Sequence, residues 1–90
     1  MSGPLERFLN QPVVLDTGTP IVYIGTLLEV TPHEFVLSDA DMHDCRDGHA
    51  NKEHYLAEAH EGGLTVNRRN IIVMRSAIIS VSLLSDVVAD

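Results

Sequence analysis

A chain of 90 residues, 44% of them hydrophobic, makes one domain and buries only about 60 to 65% of its unfolded surface. Its net charge of −7 opposes indiscriminate phosphate binding, and with no Trp, two Tyr and two Phe one copy lacks the aromatics for a broad base-stacking platform. No stretch reaches the roughly 18 uninterrupted apolar residues of a membrane-spanning helix, and the single cysteine, Cys45, has no internal disulfide partner, which suits a reducing compartment.

The N-terminal MSGPLERFLN lacks the basic start and apolar centre of a secretion signal, so a cytoplasmic protein is expected. Gly3 as N-cap, Pro4 at the first helical position and Glu6 in the first turn predict a short helix that ends before Pro12. Leu5, Phe8 and Leu9 fall on one face of it. VVLDT reads as a strand, closed by the turn chemistry of Asp16, Thr17 and Gly18. IVYIGTLLEV is a second strand, apolar on both faces as far as Leu28, and Gly25 in its middle predicts a bulge or sharp bend. Thr31 and Pro32 end it, and HEFVLSDA supplies a third strand, completing a meander.

Residues 41–63, DMHDCRDGHANKEHYLAEAHEGG, change character to polar and acidic and read as an insertion between strands. Within it Asn51 is placed to cap a helix that aligns Tyr55, Leu56 and Ala59 and stops at Gly62 and Gly63; a strand over 53–59 is the alternative. NIIVM and AIISVSLL then follow as two β-branched runs separated by Arg75 and Ser76. Charge is divided unequally: residues 1–40 and 41–63 each sum to −4, whereas 64–90 sum to +1 through Arg68, Arg69 and Arg75. An anion site is expected in that last third.

The order of elements, a short helix, three strands, a variable loop and two short strands joined by a basic turn, resembles the Sm-like family. Two segments carry the resemblance: PLERFLNQPVVLDTGTPIVYIGTLLEV, with its Gly25, Thr26, Leu27 run, and IIVMRSAIISV, which is most similar to the bacterial host factor Q form. The resemblance implies a mainly β fold: an SH3-type small barrel of five strongly bent antiparallel strands with a short N-terminal helix, spanning residues 1–90 as one domain with the insertion 41–63. It implies further that the fourth and fifth strands pair with other copies to close a homo-oligomeric ring. A physical argument points the same way. Ile71, Ile72, Val73 and Met74 are apolar on both faces of their strand, as are Ile78 and Ile79, and one small barrel interior cannot cover both; exposed edges invite pairing with another chain. The alternative is a monomer in which the helix or the insertion covers them.

In the family, RNA bases bind between the loop after the second strand and the turn between the fourth and fifth. By resemblance these positions are Thr31, His33 and Glu34, with His33 as a base-stacking side chain, and Arg75 and Ser76. Arg75 keeps a planar cation for a base or phosphate, while Glu34 there opposes phosphate; a structural salt bridge at a subunit contact is the competing role for Arg75. Arg68 and Arg69 read either as a phosphate patch or as partners for the insertion's carboxylates. His43, Cys45, His49 and His54 are zinc-compatible ligands whose spacing matches no standard finger. Asp44 and Asp47 disfavour a reactive Cys45 thiolate, with Arg46 partly opposing them, and no nucleophile elbow, P-loop or dinucleotide glycine pattern is present. The expectation is a binding module without cofactor or enzymatic activity, its partners being itself and single-stranded RNA. A scaffold that presents the acidic insertion to a basic protein is the alternative.

Overall fold

A computed structural model of the chain describes residues 3–46, 51–62 and 65–88. Five strands form one antiparallel sheet: β1 (Pro12–Asp16), β2 (Ile21–Val30), β3 (Glu34–Asp44), β4 (Arg68–Met74) and β5 (Ser80–Leu83), in spatial order β4-β3-β2-β1-β5. One α-helix, α1 (Lys52–Gly62), lies between β3 and β4. No helix among the described residues is long and apolar enough to cross a membrane.

The meander follows from local chemistry. At the β1–β2 turn the Asp16 carboxylate accepts the Gly18 N–H at 2.9 Å, and Thr17 Oγ1 donates to Ile21 O at 2.7 Å, with Gly18 at φ 76°, where glycine is unstrained. β2 and β3 then pair through two register shifts, between Ile24 and Thr26 and between Leu27 and Glu29. At the first of these Asp39 takes φ 49°, a left-handed conformation Asp tolerates better than most residues, and the bulged β3 backbone presses against β2. A Cβ added at Gly25 would lie 2.9 Å from Ala40 Cβ and 3.1 Å from Ala40 Cα. That close approach accounts for the glycine and for the sharp local bend.

Bending gathers residues from every strand into one interior. Val13, Leu15, Leu27, Phe35, Leu37, Ala40 and Val73 are its buried centre, and Ile71, Ile78, Val81 and Leu83 pack at its margin together with Leu5, Phe8 and Leu9. These last three come from the N-terminal segment, which is a single 3₁₀ turn over Pro4–Phe8, shorter than the helix the sequence predicts. Pro12 removes a donor, and Asn10 turns the chain at φ 65°, with its N–H bonded to Leu27 O at 2.6 Å.

The opposite face of the sheet has a second core, in which Val14, Val22 and Ile24 meet Leu56 and Ala59 of α1, with Cys45, Tyr55, Leu84 and Val87 around them. β1 is thus buried on both faces, and α1 belongs to the packed body of the domain. Asn51 caps it as expected: its side-chain oxygen accepts the His54 N–H at 2.8 Å. Lys52 fastens the same end, donating to the Asp16 carboxylate at 2.7 Å and to the Thr19 carbonyl. Burial raises the Asp16 pKa, but the hydrogen bonds from Lys52 and Gly18 and the Lys52 charge outweigh it, holding the carboxyl below its usual value of 3.8.

Several details differ from the sequence reading. β3 runs on to Asp44, so 41–44 are strand and not insertion. Asp41 and His43 are polar within the strand because Asp41 is hydrogen-bonded by Asn67 and His43 stacks on Tyr55 with ring centroids 4.0 Å apart. β5 starts at Ser80, since Arg75–Ala77 form a 3₁₀ turn. Residues 71–74 are also not uniformly bare: Val73 is buried and Ile71 half-buried in the chain's own interior, leaving Ile72, Met74 and Ile79 at 59%, 52% and 71% exposure.

Candidate nucleic-acid interface

The β2–β3 loop and the turn after β4 meet at one end of the sheet because Glu34 pairs with Met74 in register. Thr31 organises the loop. Its hydroxyl oxygen accepts the N–H groups of His33 and Glu34 at 3.1 and 2.9 Å and donates to the Glu34 carboxylate at 3.2 Å, while its own N–H bonds Glu34 O at 2.9 Å. Arg75 ties the turn to that loop, its backbone N–H donating to His33 O at 2.9 Å and its Nη1 to Thr31 O at 2.8 Å. The guanidinium carbon sits 5.4 Å from the centroid of the Phe35 ring, within cation–π range.

Four of the residues singled out from the sequence, Thr31, His33, Glu34 and Arg75, therefore form one constellation, with exposed Ser76 next to it. His33 is exposed and Glu34 half-buried. Among the described residues Arg75 makes no ion pair with a carboxylate; one guanidinium N–H is used on Thr31 O, and the remaining donors of the fork are available to an anion. An open cleft of about 370 Å³ borders it, lined by Gly3, Pro4, Leu5, Glu6, Val30, Thr31, Pro32 and Arg75.

Arg68 and Arg69 stand elsewhere. They begin β4, with Arg68 opposite Ala40, about 20 Å of extended strand away from Arg75. Neither is paired with an insertion carboxylate among the described residues, where the ion pairs are Arg46–Asp44, Lys52–Asp16 and His54–Glu58. Asp44 is held down to about 2 by the side-chain and backbone hydrogen bonds from Arg46.

Among the described residues the zinc-compatible side chains do not converge. His43 stacks on Tyr55, His54 bonds Glu58 at 2.8 Å on the helix surface, and Cys45 is half-buried beside α1; His49 lies outside the described residues. Among the described residues no group of three or more His, Cys, Asp and Glu is arranged to hold a metal. Burial pushes the Cys45 thiol up, against a nucleophilic role.

A second polar centre was not legible in the sequence. Asp41, 6% exposed, accepts from Tyr55 Oη and from Asn67 Nδ2 at 2.7 Å, and Asn67 also bonds both the N–H and the carbonyl of Met42 at 3.0 Å. Asn67 thereby extends the pairing with β3 by one residue before β4, and the Tyr55 bond to Asp41 fastens α1 to β3. Burial and the Asp41 hydrogen bond push the Tyr55 hydroxyl strongly upward.

No protein-family model matches the sequence, and no curated protein matches it. Among solved structures the fold is similar to that of the Pyrococcus abyssii Sm protein in complex with a uridine heptamer, with a TM-score of 0.57 at 20% sequence identity, covering 91% of this chain and 99% of that one. A mainly antiparallel five-stranded sheet, bent around one interior, with strand order β4-β3-β2-β1-β5 and a basic 3₁₀ turn joining its two edge strands, is the Sm fold in this chain.

Proposed function

We propose that this chain is an Sm-like, ring-forming module that binds single-stranded RNA and performs no catalysis, working in the cytoplasm as an assembly of its own copies. The observation that carries the reading is the convergence of Thr31, His33 and Arg75 at one end of an Sm fold, together with a solved neighbour of that fold that holds a uridine heptamer. Arg75 supplies a planar cation already oriented by Thr31 O and Phe35, and exposed His33 supplies a ring for a base. Self-assembly is supported by β4 and β5, which lie at opposite edges of the sheet with Ile72, Met74 and Ile79 exposed. Titration of labelled U-rich and A-rich oligonucleotides at low salt tests the binding. Wild-type protein should saturate, and Arg75→Ala and Ser76→Asp should each weaken binding by tenfold or more. Absence of binding at high micromolar concentration rejects the reading.

A second reading has its own observation: a cleft of about 490 Å³ between β3 and α1 is lined by Asp41, Tyr55, Glu58 and Glu61 among others. On that reading the chain is a scaffold that presents its acidic segment to a basic protein. Because α1 is part of the core, the discriminating variant is Glu58→Lys with Glu61→Lys rather than a deletion. Loss of a co-purifying basic protein with oligonucleotide binding intact would favour the scaffold.

A further inference from the structure

Two opposite charges are anchored on Thr31 and do not neutralise each other. The Arg75 guanidinium donates to the Thr31 carbonyl at 2.8 Å, and the Glu34 carboxylate accepts the Thr31 hydroxyl at 3.2 Å. Among the described residues no ion pair joins the two. Each is held by something else. The guanidinium carbon lies 5.4 Å from the centroid of the Phe35 ring, and the Glu34 backbone is fixed on both sides, its N–H on Thr31 Oγ1 at 2.9 Å and its carbonyl on the Thr31 N–H at 2.9 Å. The half-buried carboxylate is therefore set over the loop with acceptor capacity left on both oxygens. The Thr31 hydroxyl proton and the N–H groups of His33 and Glu34 are all used within the loop, so toward the edge of a base the loop offers acceptors.

We propose that this site selects guanine among the bases, with Glu34 as the residue that reads it. The inference deepens the RNA-binding reading above and rests on it. Guanine carries two adjacent donors on its Watson–Crick edge, N1–H and the N2 amine, which match the two oxygens of a carboxylate, and its double ring offers a face to the Arg75 plane. Adenine and cytosine place one amine beside an acceptor ring nitrogen, so each makes one bond and meets one repulsion. Uracil has its single N3–H between two carbonyl oxygens, and the carboxylate that takes the proton faces both of them. Such a mismatch costs more than the missing bond, because an acceptor turned toward an acceptor has given up its water. Stacking on the guanidinium accepts any base, so discrimination falls to Glu34.

The test is an anisotropy titration of the full chain with three labelled heptamers: all-uridine, the same with guanosine at the central position, and the same with inosine there, which keeps N1–H and lacks the N2 amine. Equal length gives equal phosphate charge, so ratios between them report the base alone. The guanosine heptamer should bind about tenfold more tightly than the all-uridine one, with inosine between them. Glu34→Gln, whose amide oxygen can still accept the Thr31 hydroxyl, should bring the guanosine-to-uridine ratio to about one. Glu29→Gln removes an exposed carboxylate from β2 and should leave the ratio at its wild-type value. Equal wild-type affinities for the three heptamers would overturn the selectivity with RNA binding intact, and that comparison decides even where a variant fails to fold. A ratio unchanged by Glu34→Gln, or lost equally in Glu29→Gln, would overturn Glu34 as the reader. No binding of any heptamer at high micromolar concentration would remove the RNA reading, and the selectivity with it.

Discussion

Whether α1 is structural or merely tethered can be measured through Leu56. Its side chain is 8% exposed and packs against Val14, Val22, Ile24 and Ala59 on the outer face of the sheet. Leu56→Ala removes three carbons, worth about 0.8 kcal/mol each in transfer free energy, and leaves a cavity only partly relieved by collapse. The helix rests on a single face and can settle inward, so the cost should fall near the lower end of the usual range, about 2 to 3 kcal/mol. For a domain of this size that lowers Tm by roughly 10 to 20 °C. The assay is urea unfolding followed by far-ultraviolet circular dichroism at one fixed protein concentration, because assembly would add to apparent stability. Glu53→Ala, on an exposed residue of the same helix, serves as the control and should change stability by no more than about 0.5 kcal/mol. A Leu56→Ala loss as small as the control's would refute the packing argument and return α1 to a solvated insertion.

Three further outcomes follow from particular contacts. Gly25→Ala should cost about 1 to 3 kcal/mol by overpacking, because the new Cβ meets Ala40 Cβ at 2.9 Å and backbone at 3.1 Å; adding Ala40→Gly should recover part of it in thermal unfolding, and no recovery would point to another cause. Lys52→Met should destabilise at neutral pH through loss of the Asp16 pair. Since the Asp16 pKa is depressed in the folded state from 3.8, that contribution is present above this value and lost as pH falls through the lower folded value, so urea midpoints of wild type and variant should draw together as pH is lowered below 3.8; a constant gap would contradict the linkage. Neutralising Glu53, Glu58 and Glu61 to Gln should strengthen oligonucleotide binding measurably at about 10 mM salt and negligibly at 150 mM, checked by the same titration.

The strands were legible wherever apolar alternation was regular. β2 spans the run IVYIGTLLEV, Asn51 marked the start of α1 through its capping chemistry, and Gly25 marked the bulge that the β2–β3 register shows. The reading stopped short where a polar side chain has a partner distant in sequence. Asp41 and His43 look like loop residues until Tyr55 and Asn67 arrive from 14 and 26 positions away, and nothing local announces that bond. The same long range hides the second core: Leu84 and Val87 follow the last strand and look like a tail, yet they pack with α1 on the back of β1. At the candidate site, the loop and the turn were each visible as turn chemistry. Their union depends on the Glu34–Met74 register, which only the fold supplies.

A net charge of −7 and the proposed anion site are compatible because of where the fold puts the charges. Asp41 and the carboxylates of α1 lie toward one end of β3, and the Thr31–Arg75 constellation lies at the other. The seven steps from Glu34 to Asp41 span up to about 23 Å along the strand, roughly two Debye lengths at 0.1 M salt. Repulsion from the acidic end is therefore largely screened at the site, while the guanidinium acts at contact distance, where screening is weakest. Glu6 lines the adjoining cleft, and Glu34 shares the site itself, where it is half-buried and accepts the Thr31 hydroxyl at 3.2 Å. Its charge penalises a phosphate near the loop but not an uncharged base stacked on His33 or on the Arg75 plane. The geometry thus favours a ligand whose bases enter while its backbone stays outside, and it disfavours duplexes, whose bases cannot be presented that way.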